Sequence, residues 1–316
     1  MKYSEIALKV LAAKECGIIK SNAQFWVNFE NKVIFEERIL EDNIFTKTLT
    51  RISNEFNSYE SEEGIICVYD KEFPVLNYKV KNNSDKPYLL FYKGDLSLLS
   101  DLNKNVAVIG LVDPEEEIVK READVVKRLV ENDIIIVSGL ALGCDTIAHK
   151  SSLELNGKTI AILPSQISKV YPAKNRKLAE EIVNKGGLLL SEYYRDSSSR
   201  SEAINRFIER DRLQAMFAKA IVLVASYRKD EGDSGSRHAM EAARKYEIER
   251  YVMYNSKTDE NNKRFGLNKD LADHISINKV KILQSDSINQ IKSLKDPALI
   301  ENWNYVNNKQ MTIFDL

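Results

Sequence analysis

The sequence predicts an α/β fold: a doubly wound, mostly parallel sheet with a small helical N-terminal region. Three observations predict it. Short apolar runs rich in Val, Ile and Leu recur through the middle of the chain. Each is flat in polarity, as suits a strand buried on both faces. Helix-length stretches separate them, so strand and helix alternate and right-handed crossovers build a parallel sheet.

Taken in order, Lys2–Ala13 shows helical spacing at Ile6, Val10 and Leu11, and residues 35–56 show it less clearly. Residues 1–57 are therefore expected to form the small helical N-terminal region. IICVYDKEFPVLNYKV (65–80) is β-like and turn-rich, and PYLLFYKGDLSLL (87–99) leads into the sheet. The main domain is expected over 58–285, with 58–105 as its lead-in. Its strands are VAVIG (106–110), IIIV (134–137), TIAIL (159–163), GLLL (187–190), AIVLVA (220–225) and RYVMY (250–254). Its helices fall at 114–131, 145–156, 174–185, 200–218 and 236–247. Asp113 before Pro114 predicts an N-cap and a first-turn proline. Asn156-Gly157 and Gly186-Gly187 sit where left-handed C-terminal caps belong. Residues 286–316 are polar and are expected to form a weak helix and an exposed tail, with no winged helix.

A chain of 316 residues, 43% hydrophobic and 29% charged, has the composition of a folded globular protein. It has no apolar run near the roughly 20 residues that cross a bilayer. The opening MKYSEIALKV lacks the order of a signal peptide. Cys16, Cys67 and Cys144 form no CxxC pair. These features predict a cytoplasmic protein with no membrane partner and no metal. A net charge of −1 excludes bulk, sequence-blind attraction to nucleic acid but leaves room for a local basic groove. No GxSxG, Walker, HExxH or CxxC motif occurs, so neither an enzyme nor a cofactor is expected.

Ligands of a doubly wound sheet bind at the carboxyl ends of its strands. After the first strand, GLVDPEEE holds one glycine, and its acidic residues repel an incoming phosphate. After the second, SGLALGCDTIAHK (138–150) reads either as a phosphate-sized cradle or as an ordinary strand–helix turn. Ser138, Gly139 and Gly143 permit close backbone approach at a helix N-terminus. Asp145 is the expected N-cap. His149, one turn along, reads as a metal or acid–base partner or as a semi-buried core histidine. YPAKNRKL (171–178) sets Lys174, Asn175 and Arg176 at a helix start, fitting an anionic ligand or plain surface charge. Arg206 and Arg210 share a helical face, with Arg212 on another, and they read either as anion contacts or as surface ion pairs with Glu202, Glu209, Asp211 or Glu241. Phe207 fits either a base-stacking platform or the core, and Tyr171, Tyr193 and Tyr194 are further candidates. Ser234-Gly235-Ser236 before Arg237 and His238 can form an anion-binding nest.

Together these stretches resemble the DNA-processing protein A family, also called Smf, from about Phe73 to Tyr254. The resemblance rests on SGLALGCDTIAH, YPAKN, LLLSEY, RFIERDRLQA and DSGSRHAMEAA in that order. It implies a Rossmann-like domain holding single-stranded DNA in a basic pocket, without catalysis, as a homodimer that helps load a RecA-type recombinase. The pocket residues so implied are Ser138, Gly139, Gly143, Lys174, Asn175, Arg206, Phe207, Arg210, Arg212, Ser234, Gly235, Ser236 and Arg237. The sequence departs from the family at Leu111 and Val112, where a serine or threonine and then a DNA-contacting arginine are usual. It departs again at Ile208 and Asp211, which replace the proline and the asparagine of the family's FPxRNR-like stretch. Either DNA binding is weaker, or other cations compensate, or the pocket serves another ligand, such as a nucleotide-derived signal. In the tail, Gln310, Ile313 and Phe314 resemble the short peptide that docks on a DNA sliding clamp; intramolecular packing is the other reading. A purely structural partner protein, docking through that tail, is the third functional reading.

Overall fold

The computed structural model describes residues 2–40, 42–57, 62–296 and 299. The N-terminal region begins with a two-residue strand, β1 (Lys2–Tyr3), followed by α1 (Glu5–Glu15), α2 (Asn22–Asn28), α3 (Lys32–Ile39) and α4 (Asn43–Asn57). Weak periodicity over 35–56 resolves into two helices, the second capped by Asp42, whose Oδ1 accepts the Ile44 and Phe45 amides. Helix α1 buries Leu8, Val10 and Leu11 and packs on α4.

Strands β2 (Glu63–Cys67) and β3 (Leu89–Gly94) pair antiparallel, and β3 pairs antiparallel with β7 (Leu188–Ser191). The main sheet continues through β4 (Asn105–Ile109), β5 (Ile135–Ser138), β6 (Thr159–Leu163), β8 (Ala220–Leu223), β9 (Glu249–Val252) and β10 (Val280–Ile282). Neighbours from β7 across to β10 are all parallel. The ten strands run in the order β1-β2-β3-β7-β6-β5-β4-β8-β9-β10. The doubly wound, mostly parallel sheet expected from the sequence is therefore present. The chain winds outward from β4 to β7 and then crosses back to β8. Strand order reverses between β4 and β8, and that reversal opens a crevice at their carboxyl ends.

Helices α5 (Glu116–Val130), α6 (Cys144–Glu154), α7 (Arg176–Asn184), α8 (Arg200–Met216) and α9 (Arg237–Lys245) join the strands. The left-handed caps stand where predicted. Asn156 has φ 57° and Gly186 φ 74°, and the following amides close on Ser152 and Ile182 carbonyls.

Two caps differ from expectation. Helix α5 starts after Glu115 rather than Asp113, and Glu115 makes no side-chain cap because its carboxylate binds Arg264 at 2.7 Å. Helix α6 is entered through Gly143, not capped by Asp145. Gly143 has φ 69°, and its backbone packs so closely on Leu111 and Val112 that a Cβ would collide. Beyond β9, the sequence reading missed α10 (Gly266–Asp273), α11 (Ile275–Asn278) and β10 itself, whereas the weak helix after 286 appears as α12 (Ser287–Ser293). Among the described residues, no helix is long and apolar enough to cross a membrane.

Candidate nucleic-acid interface

The crevice between β4 and β8 holds a cavity of about 360 Å³. Gly110 and Val112 reach it from the loop after β4, and Gly139, Ala141 and Leu142 from the loop after β5. Helix α8 presents Phe207, Arg210, Asp211 and Gln214, and the turn before α9 adds Asp233, Gly235 and Ser236.

Its floor is charged and buried. Asp145 turns its carboxylate back from α6, and Oδ2 accepts the Gly139 amide at 3.1 Å and the Ala141 amide at 3.2 Å. The same oxygen lies 3.6 Å from Arg210 Nη1, while Arg210 Nε lies 3.4 Å from Asp211 Oδ1. Neither approach is a well-formed hydrogen bond. Arg210 is only 5% exposed, yet its Nε and Nη1 have no hydrogen-bond partner among the described residues. Gln214, 2% exposed, donates Nε2 to Asp211 Oδ1 at 3.0 Å and leaves Oε1 without a partner among the described residues. Such groups are costly to bury unmatched. Burial pushes the Asp211 carboxyl up to about 7, with Arg210 opposing and Asp145 adding to the rise. Burial also raises Asp145, outweighing Arg210 and the loop amides that favour its charged form.

The rim is apolar. Tyr171 and Phe207 meet edge to face, with ring centroids 5.5 Å apart at 77°. Tyr171 is 56% exposed and Val112 47%, so aromatic and aliphatic surfaces frame the opening. The Val112 amide donates to Asp233 Oδ2 at 3.0 Å, tying the two loops across the switch point.

Of the residues predicted for the pocket, Gly139, Phe207, Arg210, Gly235 and Ser236 line this cavity. The others do not line it, for identifiable reasons. Ser138 spends its hydroxyl on the Val108 carbonyl at 2.7 Å, and Gly143 is consumed by the tight entry to α6. Asn175 staples the loop by donating to the Leu140 and Ala141 carbonyls and Thr146 Oγ1. Arg206 lies over the Tyr193 ring and binds Glu202 and the Arg195 carbonyl. Arg212 is held bidentate by Glu192, both contacts 2.7 Å. Arg237 donates to Ser234 Oγ at 3.2 Å, which takes both out of the lining. Lys174 is exposed, two residues past Pro172 of the wall.

His149 makes no pair with Asp145: its Nδ1 meets Thr159 Oγ1 at 2.7 Å in the core, and burial drives its pKa down to about 3. Tyr193 hydrogen-bonds Glu209, and Tyr194 stacks on Phe91 at 5.3 Å, so both are structural. Among the described residues, no three His, Cys, Asp or Glu side chains converge as a metal site. Sequence reasoning missed Asp145, Asp211 and Gln214 as floor groups. Asp211 stands beside Arg210 in RDRLQ, where the sequence reads it as an ion-pair partner. The tail residues Gln310, Ile313 and Phe314 lie outside the described residues.

The fold is that of a doubly wound α/β protein with a cavity at the reversal of its strand order. The chain belongs to the family of DNA recombination-mediator protein A, matching it over residues 64–283. It is 36% identical over 163 residues to DNA processing protein DprA of Streptococcus pneumoniae, covering 52% of each chain. It is 28% identical over 192 residues to protein Smf of Borreliella burgdorferi, covering 58% of this chain and 59% of that one. The matched stretch thus spans about half to three-fifths of these relatives. The solved structure of the Streptococcus pneumoniae protein superimposes with a TM-score of 0.69 at 23% identity, over 94% of this chain and 100% of that one. DNA processing protein A from Helicobacter pylori, solved for its single-stranded-DNA binding mode, superimposes with a TM-score of 0.58 at 25% identity. That match covers 73% of this chain and 96% of the other.

Proposed function

We propose that this chain binds single-stranded DNA at the switch-point cavity and acts, without cutting the strand, in DNA recombination or foreign-DNA processing. The observation that carries the reading is the cavity itself: an aromatic rim over a buried guanidinium with donors to spare. Bases stack on aromatic rings, and cations alongside track the backbone. Family membership supports the same ligand, and it favours a strand over a free nucleotide signal.

The arrangement here leans on stacking more than on charge. Val112 stands where the family resemblance implies an arginine, and Arg210 is the one cation among the lining residues. Lys174 and Arg237 lie just outside the lining and would meet the strand as it leaves. Each phosphate contact adds to the salt dependence, so a shallow slope is expected. The reading includes a homodimer and a RecA-type recombinase as partners, both supported by family membership alone.

Fluorescence anisotropy with labelled oligothymidylates of increasing length, at two salt concentrations, tests it. Affinity is expected to grow over several nucleotides and to fall only modestly with salt. Saturation at a mononucleotide, or no binding at any length, would overturn it.

A further inference from the structure

Asp233 reaches across the switch point. Its Oδ2 accepts the Val112 amide at 3.0 Å from the loop after β4, and its Oδ1 accepts the Gly235 amide of its own turn at 3.3 Å. All three residues line the cavity, with Val112 and Gly235 exposed and Asp233 half-buried. The carboxylate therefore sits in the opening, between amides of two different loops.

A neutral acceptor would hold the Val112 amide too. A carboxylate costs more here, because Asp145 and Asp211 already line the same cavity and Arg210 is the one cation among the lining residues. Asp233 is close enough to Asp211 to add to the rise of its carboxyl, as like charges do. What a carboxylate shares with a phosphate is the demand it makes on a backbone amide: each presents an anionic oxygen that accepts the N–H. Asp233 stands where an anion would stand at the mouth of the cavity.

We propose that the Val112 and Gly235 amides form a phosphate subsite for the bound strand, and that Asp233 fills it in the free protein and swings out when the strand seats. This rests on the single-stranded-DNA reading above and goes beyond it in giving that site an internal competitor. The apparent affinity of the free protein is then held down to the fraction of molecules whose carboxylate has moved aside.

Two variants test it. Asp233→Asn keeps an oxygen for the Val112 amide and removes the charge. Asp113→Asn removes a charge from the exposed loop beside Val112 and leaves the contact alone. In anisotropy titrations with a 20-nucleotide oligothymidylate at low salt, Asp233→Asn is expected to bind about tenfold tighter than wild type, the scale of one like-charge pair at contact distance near a protein surface. Asp113→Asn is expected to gain no more than about twofold, as a solvated charge off the contact. In wild type carrying isotope-labelled valine and glycine, saturation with the strand is expected to shift the Val112 and Gly235 amide resonances.

Equal affinity of Asp233→Asn and wild type, or equal gains in the two variants, overturns the competitor and leaves strand binding standing. Unmoved Val112 and Gly235 resonances in the saturated complex do the same. Failure of wild type and both variants to bind the strand overturns the strand reading as well. The wild-type resonances decide the question even if Asp233→Asn does not fold.

Discussion

Asp145 and Arg210 meet over Gly139. The carboxylate holds the Gly139 amide at 3.1 Å and stands 3.6 Å from Arg210 Nη1, and the space between exists because residue 139 has no side chain. The contact keeps the guanidinium against the floor without using up its N–H groups.

Gly139→Ala follows directly. The added Cβ would overlap Arg210 Nη1, and the guanidinium, being the far end of a flexible chain, would swing away. Strand affinity is expected to drop by roughly tenfold, a lost charge-assisted contact, with a small fall in stability. Anisotropy titration paired with a thermal melt checks both.

Asp145→Ala removes the acceptor for two loop amides and leaves Arg210 with Asp211 as its remaining close carboxylate. Stability is expected to fall by about 3–5 kcal/mol, as when one member of a buried ion pair is deleted. Urea denaturation measures it; a change below about 1 kcal/mol would show that the loop does not depend on this carboxylate.

The legible part of the fold was the part set by burial on both faces. Runs such as Ile160, Ala161 and Ile162 admit little besides a central strand, and β4 through β9 lie where they were read. The edge strand β10, with Lys281 exposed in its middle, carries no such signature. Within the site, the Arg206–Glu202 pair was visible as an i,i+4 spacing. Spacing sets Arg212 on another face from Arg210 but cannot reveal its partner, since Glu192 comes from outside α8. Asp145 misled because an aspartate before a helix reads as its cap, and only the tertiary fold bends it toward Gly139.

Asp211 gives the pH dependence. Its carboxyl titrates near 7 in the folded protein against 3.8 as an ordinary aspartate. Between those values the folded state holds a proton that the unfolded state has released. The stability this group contributes is full below about pH 4 and is lost as pH rises toward 7. Asp211→Asn should therefore gain about 2–4 kcal/mol relative to wild type between pH 5 and pH 8. The difference between the two proteins is the useful quantity, because neutral buried His149 pulls the other way below its ordinary 6.5. Parallel urea curves at both pH values would count against the assignment.

Val112→Arg places a cation at the exposed rim position where the resemblance implies one. Val112 is 47% exposed, so the longer side chain has room. Strand affinity should rise several-fold at low salt, and the log–log salt slope should steepen by about 1, one added phosphate contact. Titration at three salt concentrations checks it.

The central claim is that the strand lies in the β4–β8 crevice, and photocrosslinking tests it most directly. A 20-nucleotide strand containing 5-bromodeoxyuridine, irradiated in complex with the whole chain and digested, should mark Tyr171 and Phe207. Crosslinks confined to peptides away from the cavity, such as those carrying Trp26 or Tyr78, would contradict the account.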